Sequence, residues 1–267
     1  MPELPLALIL ELALLGLCTG FLAGLLGIGG GMVMVPFVTI LLTARGMPDA
    51  LTVKMAVATS LATICFTSLS SVRAHHRRGA VLWPVALVLA PGILVGSFLG
   101  AQAAAALPSR ALGYLFAVFV AFSATQMILN RKPKPSRTLP GRTAMFGVGN
   151  GIGIVSSLVG AGGAFVSVPF MTWCNVPIHN AVATSSALGF PIALAGTVGY
   201  LVAGWNLPDM PPGALGYLYW PGLLVLSLAS IVTAPLGARV AHSMDIAPLK
   251  RALAVVLYCL AAYFVLR

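Results

Sequence analysis

Charge is scarce in this chain. Of 267 residues, 15 are Lys or Arg and 5 are Asp or Glu, together 7% of the sequence. A soluble domain carries about 25% charged residues, so a solvated globular surface is excluded. The acids are rarest, and only Glu11 lies well inside an apolar stretch. A carrier for cations or metal ions usually needs more carboxylates in the membrane. Cysteine is sparse too: Cys18, Cys65, Cys174 and Cys259 stand far apart in apolar stretches without a CxxC pair. That spacing argues against a disulfide framework and for buried thiols acting as small hydrophobes. No GxSxG, HExxH or Walker sequence is present, and the His75-His76 pair has no second cluster of ligands. Enzyme chemistry, a cofactor and a metal centre therefore find no support.

What the chain does have is apolar mass. Residues of the AVILMFWYC set make up 59%, to which 29 glycines are added. This is the composition of a polytopic, all-α membrane protein whose first partner is the lipid bilayer. The net charge of +10 could suggest nucleic acid, but such a surface needs clustered cations on a hydrophilic face. A bias of Lys and Arg toward cytoplasmic loops explains the excess better. The N-terminus does not read as a cleavable signal: Glu3 precedes the apolar run and Glu11 interrupts it. The run is taken as the first membrane segment.

The chain also repeats itself. GIGGGMVMVPF at 27–37 matches GAGGAFVSVPF at 160–170 in seven of eleven positions, and AVATS occurs at both 56–60 and 181–185. Weaker echoes follow in the same order: Trp83-Pro84 with Trp220-Pro221, Leu99-Gly100-Ala101 with Leu236-Gly237-Ala238, and Arg110-Ala111-Leu112 with Arg251-Ala252-Leu253. Composition bias does not produce five ordered matches, so the chain is expected to be an internal duplication. Residues 1–129 form the first repeat and 144–267 the second. Between them, 130–143 is a linker with five cations and three prolines, extended and cytoplasmic.

Each repeat divides into five apolar segments, about 4–26, 32–44, 52–72, 81–106 and 110–129, then about 143–159, 163–174, 180–203, 214–240 and 247–266. The second segment of each is too short to cross a bilayer untilted, since a span takes about 20 residues. It is expected to be broken or re-entrant, although two spanning segments would leave the later loops on the same sides. An odd number of crossings inverts the second repeat. The cations then divide 11 inside (Arg73, Arg77, Arg78, Arg131, Lys132, Lys134, Arg137, Arg142, Arg239, Lys250, Arg251) to 4 outside (Arg45, Lys54, Arg110, Arg267). Parallel repeats give only 9 to 6. Inverted-topology repeats with both termini periplasmic fit the positive-inside rule better.

The glycine clusters Gly27, Gly29, Gly30, Gly31 and Gly160, Gly162, Gly163 each open a short helix. Glycine breaks the backbone and exposes N–H groups, and a helix N-terminus carries about half a positive charge. Matching interrupted segments in two inverted halves point to a substrate site, here one for an anion. Close helix packing is the alternative use of glycine, and is the reading for the spaced sets Gly16, Gly20, Gly24 and Gly92, Gly96, Gly100. Pro36 and Pro169 bend the short helices and free a carbonyl. Thr59, Ser60, Thr184 and Ser185 could donate to an oxyanion or make ordinary contacts within and between helices. Asn180 flanks the second AVATS, and Lys54 and His179, which align with one another, are further candidates for attracting an anion.

These elements resemble the TauE/SafE sulfite exporter family: GxGGG-x4-P at 27–36, its degenerate copy at 160–169, the ATS triplets and the basic linker. The resemblance covers nearly the whole chain. It implies a permease of the bacterial inner membrane for small sulfur-containing or organic anions such as sulfite, sulfonates or sulfoacetate-like compounds, working by alternating access. Ala164 departs from the pattern by replacing the last glycine of the second cluster. A non-transporting membrane assembly partner and a cation or metal permease are the competing expectations, and a homodimer is a further assembly open to the chain.

Overall fold

The computed structural model describes residues 6–26, 30–129, 136–208, 210–240 and 247–266. Gly27, Gly29 and residues 130–135 of the linker lie outside the described residues. Ten helices make up the described structure: α1 Leu6–Leu26, α2 Gly31–Ala44, α3 Asp49–His76, α4 Trp83–Ala106, α5 Ser109–Leu129, α6 Arg142–Val159, α7 Ala164–Trp173, α8 Ile178–Gly204, α9 Trp220–Val240 and α10 Ala247–Leu266. The segments read from the sequence are all present, with one correction. The segment expected over 214–240 begins as a small antiparallel hairpin, Ala214–Leu215 with Leu218–Tyr219, and becomes helical only at Trp220. Gly216, at positive φ, lies in the turn between the strands, Gly213, also at positive φ, just ahead of the first strand, and Pro221 suits the first turn of the following helix.

Six of the helices (α1, α3, α4, α5, α8 and α9) are long and apolar enough to cross a membrane. Their outer faces are apolar: Leu10, Leu14, Val118, Phe122, Val202, Leu228 and Val232 are all exposed, as lipid-facing side chains are.

The spaced glycines bring helices from different halves together. A Cβ at Gly16 would strike Leu226 and Ala229, at Gly20 Ser230, and at Gly24 Ala234. Helices α1 and α9 therefore run parallel in close contact. A Cβ at Gly92 would strike Phe146, at Gly96 Asn150, and at Gly100 Ile154, so α4 and α6 run parallel in the same way. Without a hydrophobic drive between helices in lipid, such close backbone approach is a main source of cohesion.

Direction along the bundle follows from further contacts. Gly196 of α8 meets Leu61 of α3, and Gly189 meets Ser68, so these helices, which carry the two AVATS copies, are antiparallel. Helix α3 lies parallel to α9, through Thr67 with Ser230 (2.8 Å) and Arg78 with Ala238 (3.2 Å). Helix α8 lies parallel to α4, through Thr184 with Leu82 (2.9 Å) and Gly199 with Gln102 (2.9 Å). Gly113 and Phe116 of α5 meet Phe264, while Thr125 meets Tyr258, so α5 and α10 are antiparallel as well. Helices α1, α3, α4 and α5 thus each run opposite to their sequence counterparts α6, α8, α9 and α10.

The short helices start halfway along this bundle. Gly31, the first residue of α2, lies against Ile64 near the middle of α3. Gly163, just before α7, lies against Ile192 near the middle of α8. From there α2 and α7 run back toward the starts of α3 and α8. With 14 and 10 residues they cover about 21 and 15 Å at 1.5 Å per residue, against about 30 Å for a hydrocarbon core. Neither short helix is long enough to cross such a core untilted.

Candidate functional site: two helix breaks meeting at mid-bundle

The two glycine breaks come together. A Cβ at Gly31 would run into the carbonyl of Gly160, and one at Gly160 would press on Val35 and Val57. Gly30, Gly160 and Gly163 all have positive φ (73°, 70° and 77°), a backbone region costly to other residues. Gly30 also lies against the Thr19 carbonyl, and Gly163 against the Ser156 hydroxyl. These glycines therefore do conformational and packing work whatever else they do. Gly162 is buried, with its carbonyl 3.9 Å from where a Cβ of Gly189 would stand. Ala164 is buried at the start of α7.

The first turn of α2 closes on Gly30, whose carbonyl accepts from Val33 and Met34 at 3.2 and 3.1 Å. The first turn of α7 closes on Gly163, which accepts from Val166 and Ser167 at 3.1 and 2.9 Å. The N–H groups ahead of those bonds belong to the unpaired set at any helix start. Both helix N-termini thus lie at the junction, each carrying partial positive charge.

The ATS triplets divide into two roles. The Thr59 hydroxyl accepts the Tyr219 N–H at 3.0 Å, and the Thr184 hydroxyl accepts the Leu82 N–H at 2.9 Å. Tyr219 and Leu82 each immediately precede a Trp-Pro helix start, of α9 and α4. Each threonine thus secures a helix start in the opposite half. Both are fully buried, where losing such a partner leaves a costly orphaned N–H.

The serines differ. Ser185 hydrogen-bonds Ser167 of α7 at 2.7 Å. The position in α2 that corresponds to Ser167 is Met34, and the Ser60 hydroxyl is buried without a hydrogen-bond partner. Ser60 lies one turn from both Val57, which touches Gly160, and Ile64, which touches Gly31, so it shares the face of α3 that meets the two breaks. Ser156, beside Gly163, is likewise buried and unpartnered. Ser156 stands outside the candidates legible in the sequence. Its one signal is the Ser156-Ser157 pair where the first half has Ala23-Gly24.

The remaining candidates lie away from the junction. Lys54 donates to the Ala105 carbonyl at 2.6 Å and lies 5.5 Å from the Tyr217 ring centroid. It is ten residues before Ile64, about 15 Å along a helix, and it caps the C-terminal end of α4. Asn180 donates to the Ala80 carbonyl at 2.9 Å, tying α8 to the loop before α4. His179 is exposed at the start of α8. Pro36 is buried in α2, whereas Pro169 is exposed in α7. Glu11 pairs with Arg45 at 3.6 Å, beyond the C-terminal end of α2. In the hairpin, burial pushes the Tyr217 and Tyr219 phenols above their usual range, with Arg45 opposing this at Tyr219.

The profile of the family described as Sulfite exporter TauE/SafE matches residues 12–264. The chain belongs to this family. It is 36% identical over 255 residues to a probable membrane transporter protein of Haemophilus influenzae, covering 95% of this chain and 96% of that one. A probable membrane transporter protein of Bacillus subtilis, YdhB, is 31% identical over 205 residues, 74% of this chain and 79% of its own. A relative in Methanocaldococcus jannaschii with the same description is 28% identical over 227 residues, 84% and 81% of the two chains. No solved structure matches. This member of the TauE/SafE family is a multi-pass membrane transporter.

Proposed function

We propose that the protein is a permease for small sulfur-containing or organic oxyanions, such as sulfite and sulfonates, and that the anion binds where the two breaks meet. One observation carries the reading: two half-length helices begin at one point in mid-bundle, beside two buried hydroxyls, Ser60 and Ser156, that have no partner. Two helix N-termini and two hydroxyl donors suit an anion, and such a site needs no cationic side chain. The described acids, Glu11 and Asp49, both lie near the far end of α2, which suits a cation poorly.

Alternating access is the mechanism we assign. The antiparallel course of each helix and its counterpart supports inverted-topology repeats, and helices such as α1 and α6 are held by partners from the other half. Rocking the halves about the junction would open it to either side in turn. Arg73, Arg77, Arg78, Arg137, Arg142, Arg239 and Arg251 gather at the end of the bundle where α3 stops and α4 begins, and Arg45, Lys54 and Arg110 at the other. Under the positive-inside rule the first end is cytoplasmic, and both termini are periplasmic in a bacterial inner membrane.

The test is flux of sulfite, a sulfonate and thiosulfate in proteoliposomes of purified protein. Uptake of at least one, above that of protein-free vesicles, is expected. No flux and no anion-dependent stabilisation would favour a non-transporting membrane partner.

A further inference from the structure

Where α3 and α9 end, four arginines surround a cavity of about 530 Å³: Arg73 from α3, Arg77 and Arg78 from the turn that follows it, and Arg239 from α9, with Ser70, Ile231 and Pro235 in its wall. The sequence shows Arg77 and Arg78 as part of a basic loop. It does not show that Arg239, from the other half, joins them.

The cavity is a built feature. Pro235 has no N–H to give the Ile231 carbonyl four residues earlier, and the Ser70 hydroxyl donates to that carbonyl instead at 3.0 Å. Eight residues further on, just past the end of α3, Arg78 donates to the Ala238 carbonyl at 3.2 Å, near the end of α9. The two helices are therefore pinned on both sides of the opening. All four arginines are exposed, and the described acids Glu11 and Asp49 lie at the opposite end of the bundle. Just beyond the arginines, toward the middle of the bundle, Phe66, Leu69, Leu228 and Val232 are exposed and apolar.

The matching place in the other half, between α8 and α4, shows that the fold does not demand these residues. Val198, Val202 and Ala203 stand there for Arg73, Arg77 and Arg78, Gln102 for Arg239, and Phe98 for Pro235. A charge bias for orientation alone would need cations on this side, but no wedge opened by a proline and no convergence of two helices on one cavity.

We infer that this cavity holds the phosphate headgroup of an anionic phospholipid, with the acyl chains along the apolar faces of α3 and α9. Arginine suits phosphate because its planar fork offers paired donors. Basic pockets between helices on the cytoplasmic side are the usual form of such sites. This rests only on the membrane placement above and is independent of which anion is transported.

The experiment compares thermal unfolding of the whole protein in nanodiscs of phosphatidylcholine alone and of phosphatidylcholine mixed with phosphatidylglycerol. A higher midpoint in the mixed discs is expected. Arg73→Gln with Arg239→Gln should lose most of that rise, whereas Arg142→Gln with Arg251→Gln, the same loss of charge on the same side but outside the cavity, should keep it. Equal loss in both double variants would mean a diffuse surface charge effect and overturn the site. A rise produced equally by inorganic phosphate in lipid-free detergent would overturn the lipid assignment. If the arginine variant does not fold, native mass spectrometry of the wild type decides: retained phosphatidylglycerol supports the site, and its absence refutes it.

Discussion

The two halves share a scaffold and differ at the place where they meet. Thr59 and Thr184 make the same bond to the opposite half, at 3.0 and 2.9 Å. Gly30 and Gly163 take nearly the same positive φ and rest on the counterpart positions Thr19 and Ile152. Then the likeness stops. The second half pairs Ser185 with Ser167, whereas the first has Met34 at the matching position and leaves Ser60 without a partner. Gly31 packs on the Gly160 carbonyl, while its counterpart is Ala164. What holds the helices in place is alike in the two halves, and the differences fall on groups at the junction. A buried hydroxyl with no partner costs free energy, and Ser60 carries that cost on the face of α3 that meets the two breaks.

The sharpest way to break the comparison is to ask which side each short helix returns to. Ala50 lies in the first turn of α3, six residues after α2 ends, and Ser136 touches the end of α7 through its N–H to the Trp173 carbonyl, 3.3 Å. With the native cysteines removed, Ala50→Cys should label from the periplasm in intact cells and Ser136→Cys should not. Labelling of both, or of Ser136→Cys alone, would refute the inverted orientation.

A second contrast sets Gly31 against Ala164. Gly31→Ala drives a methyl into the Gly160 carbonyl, and overpacking of this kind costs about 1–3 kcal/mol. Loss of transport with a lowered unfolding midpoint is expected. Ala164→Gly removes a methyl at a helix start and should cost no more than about 1 kcal/mol. Equal tolerance of the two, measured by thermal unfolding and flux, would mean that the breaks do not depend on their close contact.

Much of this was legible in the sequence because it rests on local pattern. Glycine clusters broke the helices where expected, span-length runs became α3, α4 and α8, and four-residue glycine spacing became the α1–α9 and α4–α6 contacts. What was not legible depends on partners distant in sequence. Thr59 reads as one more hydroxyl in the triplet until the Tyr219 N–H is found donating to it. Lys54 reads as an anion attractor until Ala105 takes its ammonium. Nothing local distinguishes Ser60 from Ser185, since the difference lies in Met34 against Ser167. The hairpin at 214–219 was missed because its residues are as apolar as the helix that follows.

The smallest structural perturbation gives the most direct test. Ser60→Ala removes a hydroxyl that bonds to nothing, so the unfolding midpoint of the anion-free protein should hold or rise. Ser185→Ala breaks a bond between helices worth about 0.6 kcal/mol in such settings, so its midpoint should fall slightly. The deciding measurement is the rise in midpoint on adding whichever anion the flux assay identifies. The account predicts that Ser60→Ala loses most of that rise while Ser185→Ala keeps it. A full rise in Ser60→Ala would contradict the claim that the anion binds where the two breaks meet.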